Sequence, residues 1–170
     1  WTDGGVADDY AIRGFHSASM RLRDSGATAE LLRFMGYEQT GQQGDVTRFV
    51  TPGTAATVMD VETLPGATPA REGAGSVHHI AFAVEDRAAQ LQVRQALVDA
   101  GHSVTPVIDR DYFWAIYFRA PGGVLFEIAT NEPGFDRDEE KAHLGEALKL
   151  PTQHERLRAH LEQYLPALEG

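Results

Sequence analysis

The stretch Ser76-Val77-His78-His79-Ile80 repeats the order of an earlier one, Ile12-Arg13-Gly14-Phe15-His16, and His79 follows His16 by 63 residues. After each histidine comes a short apolar run, then an Asp (Asp24, Asp86), an amphipathic helical pattern, a Gly (Gly36, Gly101) and strands that end in an acid (Asp60, Glu127). The offset grows to 65 at the glycines and 67 at the acids, so small loop insertions accumulate while the order is kept. Such a repeat marks a duplicated supersecondary unit. Each copy reads as βαβββ. The expected fold class is therefore α+β, two tandem βαβββ modules with a C-terminal helix.

The boundaries follow from composition. Residues 1–10 form a polar lead-in without an initiator Met, which reads as cut from a longer product, and residues 11–63 form the first module, with its opening strand expected over 11–16. Residues 64–75, rich in Pro and Gly, are the linker, and 76–133 are the second module. In the first module Leu31, Leu32 and Met35 predict a helix over 28–35 that Gly36 stops, with strands over 47–50 and 55–61. In the second, a helix is expected over 87–100 with Leu91, Val93, Leu97 and Val98 as its buried side, followed by strands over 104–108, 112–119 and 124–130. Ala120-Pro121-Gly122-Gly123 between the last two is a hairpin signal. If its second Gly makes a one-residue bulge, Tyr117 stands opposite Glu127. Residues 134–170 are a charged extension in which Thr152-Gln153-His154-Glu155 matches a capping box, and Leu157, Leu161, Tyr164 and Leu165 recur at helical spacing.

Composition excludes several classes. A chain of 170 residues, 42% hydrophobic, can bury a core. A net charge of −10, with no run among its 15 Lys and Arg, speaks against a nucleic-acid surface. No apolar stretch approaches the length of a membrane span, so no membrane role is expected. The absence of Cys removes disulfides, thiolate metal sites and Cys nucleophiles together, and a cytoplasmic location is the default expectation.

The chemistry concentrates in the second module. Glu127 sits inside Val124-Leu125-Phe126-Glu127-Ile128-Ala129, where an acid buried without a partner would cost several kcal/mol. It needs a cation, a metal or water; the plain alternative is a solvated sheet face. His79, as an isolated strand histidine, reads as a core residue satisfied by a carbonyl; paired with Glu127 it reads as a metal ligand. A third ligand would complete the two-His, one-carboxylate set that leaves metal positions open. His16 and Asp60, at the equivalent positions of the first copy, are a second site, the source of that third ligand, or relics. Tyr117 is an aromatic lining or a proton donor, Arg110 a loop ion pair or an anion contact, and His78 an outward histidine or a substrate contact. His102, His143, His154 and His160 read as surface residues.

The order of elements, with Val77-His78-His79-Ile80-Ala81-Phe82 and Pro121-Gly122-Gly123-Val124-Leu125-Phe126-Glu127-Ile128-Ala129-Thr130, resembles the vicinal oxygen chelate superfamily of glyoxalases, bleomycin-resistance proteins and extradiol dioxygenases. Thr105-Pro106-Val107-Ile108-Asp109-Arg110-Asp111-Tyr112-Phe113 and Asn131-Glu132-Pro133-Gly134-Phe135 look like the hydroquinone-cleaving dioxygenases, and the likeness covers essentially the whole chain. That resemblance implies the C-terminal half of a ring-cleaving dioxygenase that uses Fe(II), sometimes Mn(II), on a small aromatic diol and O2. It matches His79 and Glu127 to two metal ligands, and His78, Arg110 and Tyr117 to positions around the bound diol. The third ligand comes from the absent N-terminal half in the hydroquinone enzymes and from the position of His16 in the catechol enzymes. A glyoxalase-type lyase or isomerase and a non-catalytic binding module are the alternative functions. Homodimerisation, or pairing with the N-terminal half, is expected to cover the sheet edges.

Overall fold

The computed structural model describes residues 5–53 and 56–166. The start of the lead-in, Trp1 to Gly4, and Ala55, where a strand was expected to begin, lie outside them. The chain divides into two compact units, one running to Ile80 and including Arg119–Val124, the other comprising Ala81–Phe118 and everything from Leu125 on.

The first βαβββ set is β1 (Ser17–Leu22), α1 (Gly26–Phe34), β2 (Glu38–Gln43), β3 (Val46–Val50) and β4 (Val58–Thr63); the second is β5 (Ile80–Val84), α2 (Arg87–Asp99), β6 (Ile108–Asp109), β7 (Phe113–Arg119) and β8 (Leu125–Pro133). The two sheets have the same strand order, β1-β4-β3-β2 and β5-β8-β7-β6. The duplication extends to single hydrogen bonds. Gly36 N–H donates to Arg33 O and Tyr37 N–H to Leu32 O, and at the end of α2 Gly101 N–H donates to Val98 O and His102 N–H to Leu97 O. Both glycines sit at positive φ, 89° and 88°, the left-handed cap that lets a helix end while its last carbonyls stay bonded.

Several expectations are corrected. Residues 11–16 are not a strand; pairing begins at Ser17, and Gly14 at φ 124° belongs to an irregular approach. Residues 104–108 shrink to a bridge from Val104 to Phe118 and the two-residue β6, because Pro106 between them has no N–H to give the ladder. β2, Glu-Gln-Thr-Gly-Gln-Gln, was not anticipated: all six residues are exposed, so no apolar alternation announces it.

The first core gathers Met20, Leu22, Leu31, Leu32, Phe49, Met59 and Val61; the second gathers Leu97, Ile116, Phe118, Phe126 and Ile128. On α2 the buried pair is Gln90 and Leu97, whereas Leu91 and Val98 are exposed. Gln90 replaces the expected leucine because its amide Nε2 donates to Trp114 O at 2.7 Å and Ile128 O at 2.8 Å, fastening the helix to β7 and β8. The extension carries α3 (Arg158–Tyr164) after a 3-10 turn, Thr152–Leu157. The expected capping box is absent; the Thr152 hydroxyl instead donates to Asp111 Oδ1 at 2.6 Å. Among the described residues no helix is long and apolar enough to cross a membrane.

Candidate active site

The β7–β8 hairpin turns through Pro121-Gly122-Gly123. Ala120 N–H donates to Val124 O at 2.9 Å and Gly123 N–H to Ala120 O at 2.7 Å, with Gly123 at φ 87°. This is the three-residue loop with a bulge at a left-handed glycine. Counting back from that pair puts Trp114 opposite Thr130, where Trp114 N–H meets Thr130 Oγ1 at 3.0 Å, and Tyr117 opposite Glu127.

There the Tyr117 hydroxyl donates to Glu127 Oε1 at 3.0 Å and accepts from Arg110 Nη2 at 3.3 Å. The Arg110 Cζ lies 5.5 Å from the centre of the Tyr117 ring. Glu127 is only 3% exposed, between the fully buried Phe126 and Ile128. Burial is the main cause that pushes the Tyr117 phenol above its ordinary value; Arg110 opposes the shift and Glu127 adds to it. The phenol therefore stays protonated at neutral pH. Its proton points to Glu127 while its oxygen takes the Arg110 N–H.

Strand alternation assigns the faces. Phe126 packs at a tilt against Phe82 of β5, centroids 4.9 Å apart, and edge to face against Phe118 at 5.7 Å, on the side where Gln90 binds the sheet. Glu127, Tyr117 and Ala129 belong to the opposite face. His78 and His79 immediately precede β5, the strand that neighbours β8. Their Nδ1 atoms are 3.0 Å apart, with the rings edge to face.

The first copy treats the equivalent carboxylate differently. His16, exposed, immediately precedes β1 as His79 precedes β5. Asp60 is the third residue of β4 as Glu127 is of β8, and its partner on β3 is Arg48, at the place Tyr117 holds. Arg48 Nε and Nη2 grip Asp60 Oδ1 and Oδ2 at 2.8 and 2.7 Å. That fork holds the Asp60 carboxyl below its ordinary value, with a smaller pull from His16. A group with a lowered folded value contributes stability that is complete above the ordinary carboxylate range and is lost as pH falls through the lowered value. Asp60→Asn should accordingly lower Tm at neutral pH and flatten its fall in acid; a melting profile from pH 7 to 3 with the wild-type slope would contradict this.

Sequence reasoning missed Arg48 and the link between Asp111 and Thr152, because both depend on partners that only the sheet register or the path of the extension brings near. His102, expected at the surface, is half-buried, its ring 5.5 Å from that of Phe118.

Residues 20–128 match the sequence model of the Glyoxalase/Bleomycin resistance protein/Dioxygenase superfamily, and the chain belongs to that superfamily. The chain is also 44% identical, over 99% of its length, to a protein of Bacillus subtilis (strain 168) provisionally named ring-cleaving dioxygenase MhqO, of which it covers 54%. It is 33% identical, over 95% of its length, to the chlorohydroquinone/hydroquinone 1,2-dioxygenase of Sphingobium indicum, covering 51% of that protein. A crystal structure of a provisionally named dioxygenase from Bacillus subtilis strain 168 superposes with a TM-score of 0.93 at 44% identity, over 99% of this chain and 55% of that one. The chain thus spans about half the length of the curated relatives it matches.

Proposed function

We propose that this chain is the C-terminal half of an Fe(II)-dependent ring-cleaving dioxygenase, acting in the cytoplasm on hydroquinone or catechol-like diols with O2. The observation that carries the reading is the buried Glu127 carboxylate under a protonated Tyr117, with the Arg110 cation beside it. The names of the relatives support the same reaction class.

His79 and Glu127 are the residues that would hold the metal, Fe(II) or Mn(II). A buried carboxylate and an imidazole are a donor pair suited to such an ion. Among the described residues no group of three or more His, Cys, Asp or Glu side chains comes together as a metal site. The third ligand is assigned to His16 or to the part of the relatives that this chain does not span. A homodimer, or that same missing part, would cover the sheet edges.

When bound, the metal supplies the redox chemistry that joins O2 to the ring. The chain's own residues do the rest. Arg110 offers a cation to a substrate oxygen that has lost its proton. Tyr117 keeps its proton on the phenol oxygen, parked on Glu127, and can release it to an oxygen of the opened product. His78, whose Nδ1 meets that of His79 at 3.0 Å, would take up the proton of the second hydroxyl.

The test is metal analysis of the protein at its full natural length, followed by oxygen uptake with a panel of hydroquinones and catechols. The expected result is bound iron or manganese and one O2 consumed per ring opened. Turnover of thiol adducts without O2 would instead support the glyoxalase-type alternative. Within the reading, Tyr117→Phe should keep the metal and lower kcat by about 10²- to 10⁴-fold, the usual contribution of a positioned proton donor. A variant within threefold of wild type would remove Tyr117 from the chemistry.

A further inference from the structure

Arg110 is exposed, so packing does not hold it, yet its guanidinium meets Tyr117 at 3.3 Å. The reason lies in the residue that follows it. Residues 110–112 connect β6 to β7 in a tight turn: Arg110 N–H donates to Phe113 O at 2.9 Å, Tyr112 N–H to Arg110 O at 2.8 Å, and Asp111 N–H to Asp109 Oδ1 at 2.8 Å. Asp111 stands at φ 64°, a left-handed conformation that a non-glycine residue keeps only when its surroundings impose it. Here they do. Thr152, 41 residues downstream, donates to Asp111 Oδ1 twice, from its hydroxyl at 2.6 Å and its backbone N–H at 3.1 Å. Arg137 Nη1 donates to Asp111 O. The next residue is held too: Gly134 N–H donates to Tyr112 O at 3.0 Å, and Phe135 stacks on the Tyr112 ring at 5.4 Å and 21°.

We propose that Asp111, fastened by Thr152 and Arg137, is a positioning residue that aims Arg110 at Tyr117, so that the C-terminal extension sets how tightly an anionic diol oxygen is held. The aiming of Arg110 stands on geometry alone; its effect on substrate rests on the ring-cleavage reading above. The clasp bonds end on Asp111, so releasing them should loosen Arg110 while the Tyr117–Glu127 hydrogen bond stays. The consequence is a loss in substrate binding rather than in the chemical step.

Three variants separate the clasp from the shape of the turn. Asp111→Gly accepts the positive φ but has no carboxylate; Thr152→Val has the same shape without the hydroxyl; Asp111→Asn keeps an oxygen at Oδ1 and tolerates the left-handed region. In the protein at its full natural length, 15N relaxation of the Arg110 Nε–H group reads the aiming directly and needs no turnover. Asp111→Gly and Thr152→Val should lower its order parameter toward that of a mobile side chain, and Asp111→Asn should restore it. With hydroquinone as the probe, the first two should raise KM about 3- to 10-fold, as expected for one lost hydrogen bond, with kcat changed less than twofold. In an Arg110→Met background, Thr152→Val should add nothing further to KM. The proposal is overturned if Arg110 is as rigid in Thr152→Val and Asp111→Gly as in wild type, or if Thr152→Val raises KM equally with and without Arg110. A wild-type protein that opens no ring would sink the ring-cleavage reading, while the relaxation result would still decide the clasp.

Discussion

Replacing Glu127 with Gln in the protein at its full natural length is expected to abolish iron retention and ring cleavage together. The change is nearly isosteric, and the Gln Oε1 can still accept the Tyr117 hydroxyl that now reaches Glu127 at 3.0 Å. What disappears is the negative charge, which a divalent ion needs and a neutral amide does not supply. Residues that merely support ligands cost about 10- to 100-fold in metal affinity when changed, and loss of a ligand should exceed that. Metal content by elemental analysis and oxygen uptake should fall in parallel, with Tm of the metal-free protein close to wild type. Retention of iron at the wild-type ratio in Glu127→Gln would remove this residue from the metal set.

The second large effect concerns stability. Gly122, at the tip of the β7–β8 hairpin, donates its N–H to Thr28 Oγ1 at 3.1 Å. A Cβ there would stand 2.7 and 2.9 Å from the two δ carbons of Leu22 and 3.1 Å from that same hydroxyl. Leu22 is 3% and Thr28 1% exposed, so neither has solvent to move into. Gly122→Val should destabilise the protein by about 1–3 kcal/mol through overpacking. For a chain of this size that lowers Tm by several degrees, roughly 2–4 °C per kcal/mol. Leu22→Ala should open space and shrink the penalty, so a double-mutant cycle in Tm checks the cause. A Gly122→Val protein that melts with the wild type would mean the tip is not packed as described.

The architecture was legible because the same punctuation occurs twice. An Asp before each helix, a Gly after it and an acid in each last strand survive duplication in one-letter form. The Tyr117 and Glu127 pairing was legible only on condition of a bulge at the second glycine of the turn, the geometry the structure adopts. Legibility failed where the decisive partner is distant or polar. β2 is exposed at every position, so the hydrophobic pattern is silent there. Gln90 is buried because it reads two carbonyls 24 and 38 residues away, and a glutamine in a helix gives no sign of that. Thr152 resembled a helix cap because the same hydroxyl that caps a helix can equally bind a distant carboxylate, and nothing local chooses between them.

The placement of Arg119–Val124 within the first unit has a consequence for synthesis. A ribosome finishes residues up to Ile80 long before it supplies the hairpin tip, and the intervening 38 residues, Ala81 to Phe118, take about 2–8 s at ordinary elongation rates. During that interval Leu22 and the Thr28 hydroxyl have no Gly122 to meet. The first unit is therefore assembled late, and the emerging chain carries an uncovered patch that a chaperone, or another nascent copy, can reach before its own tip arrives.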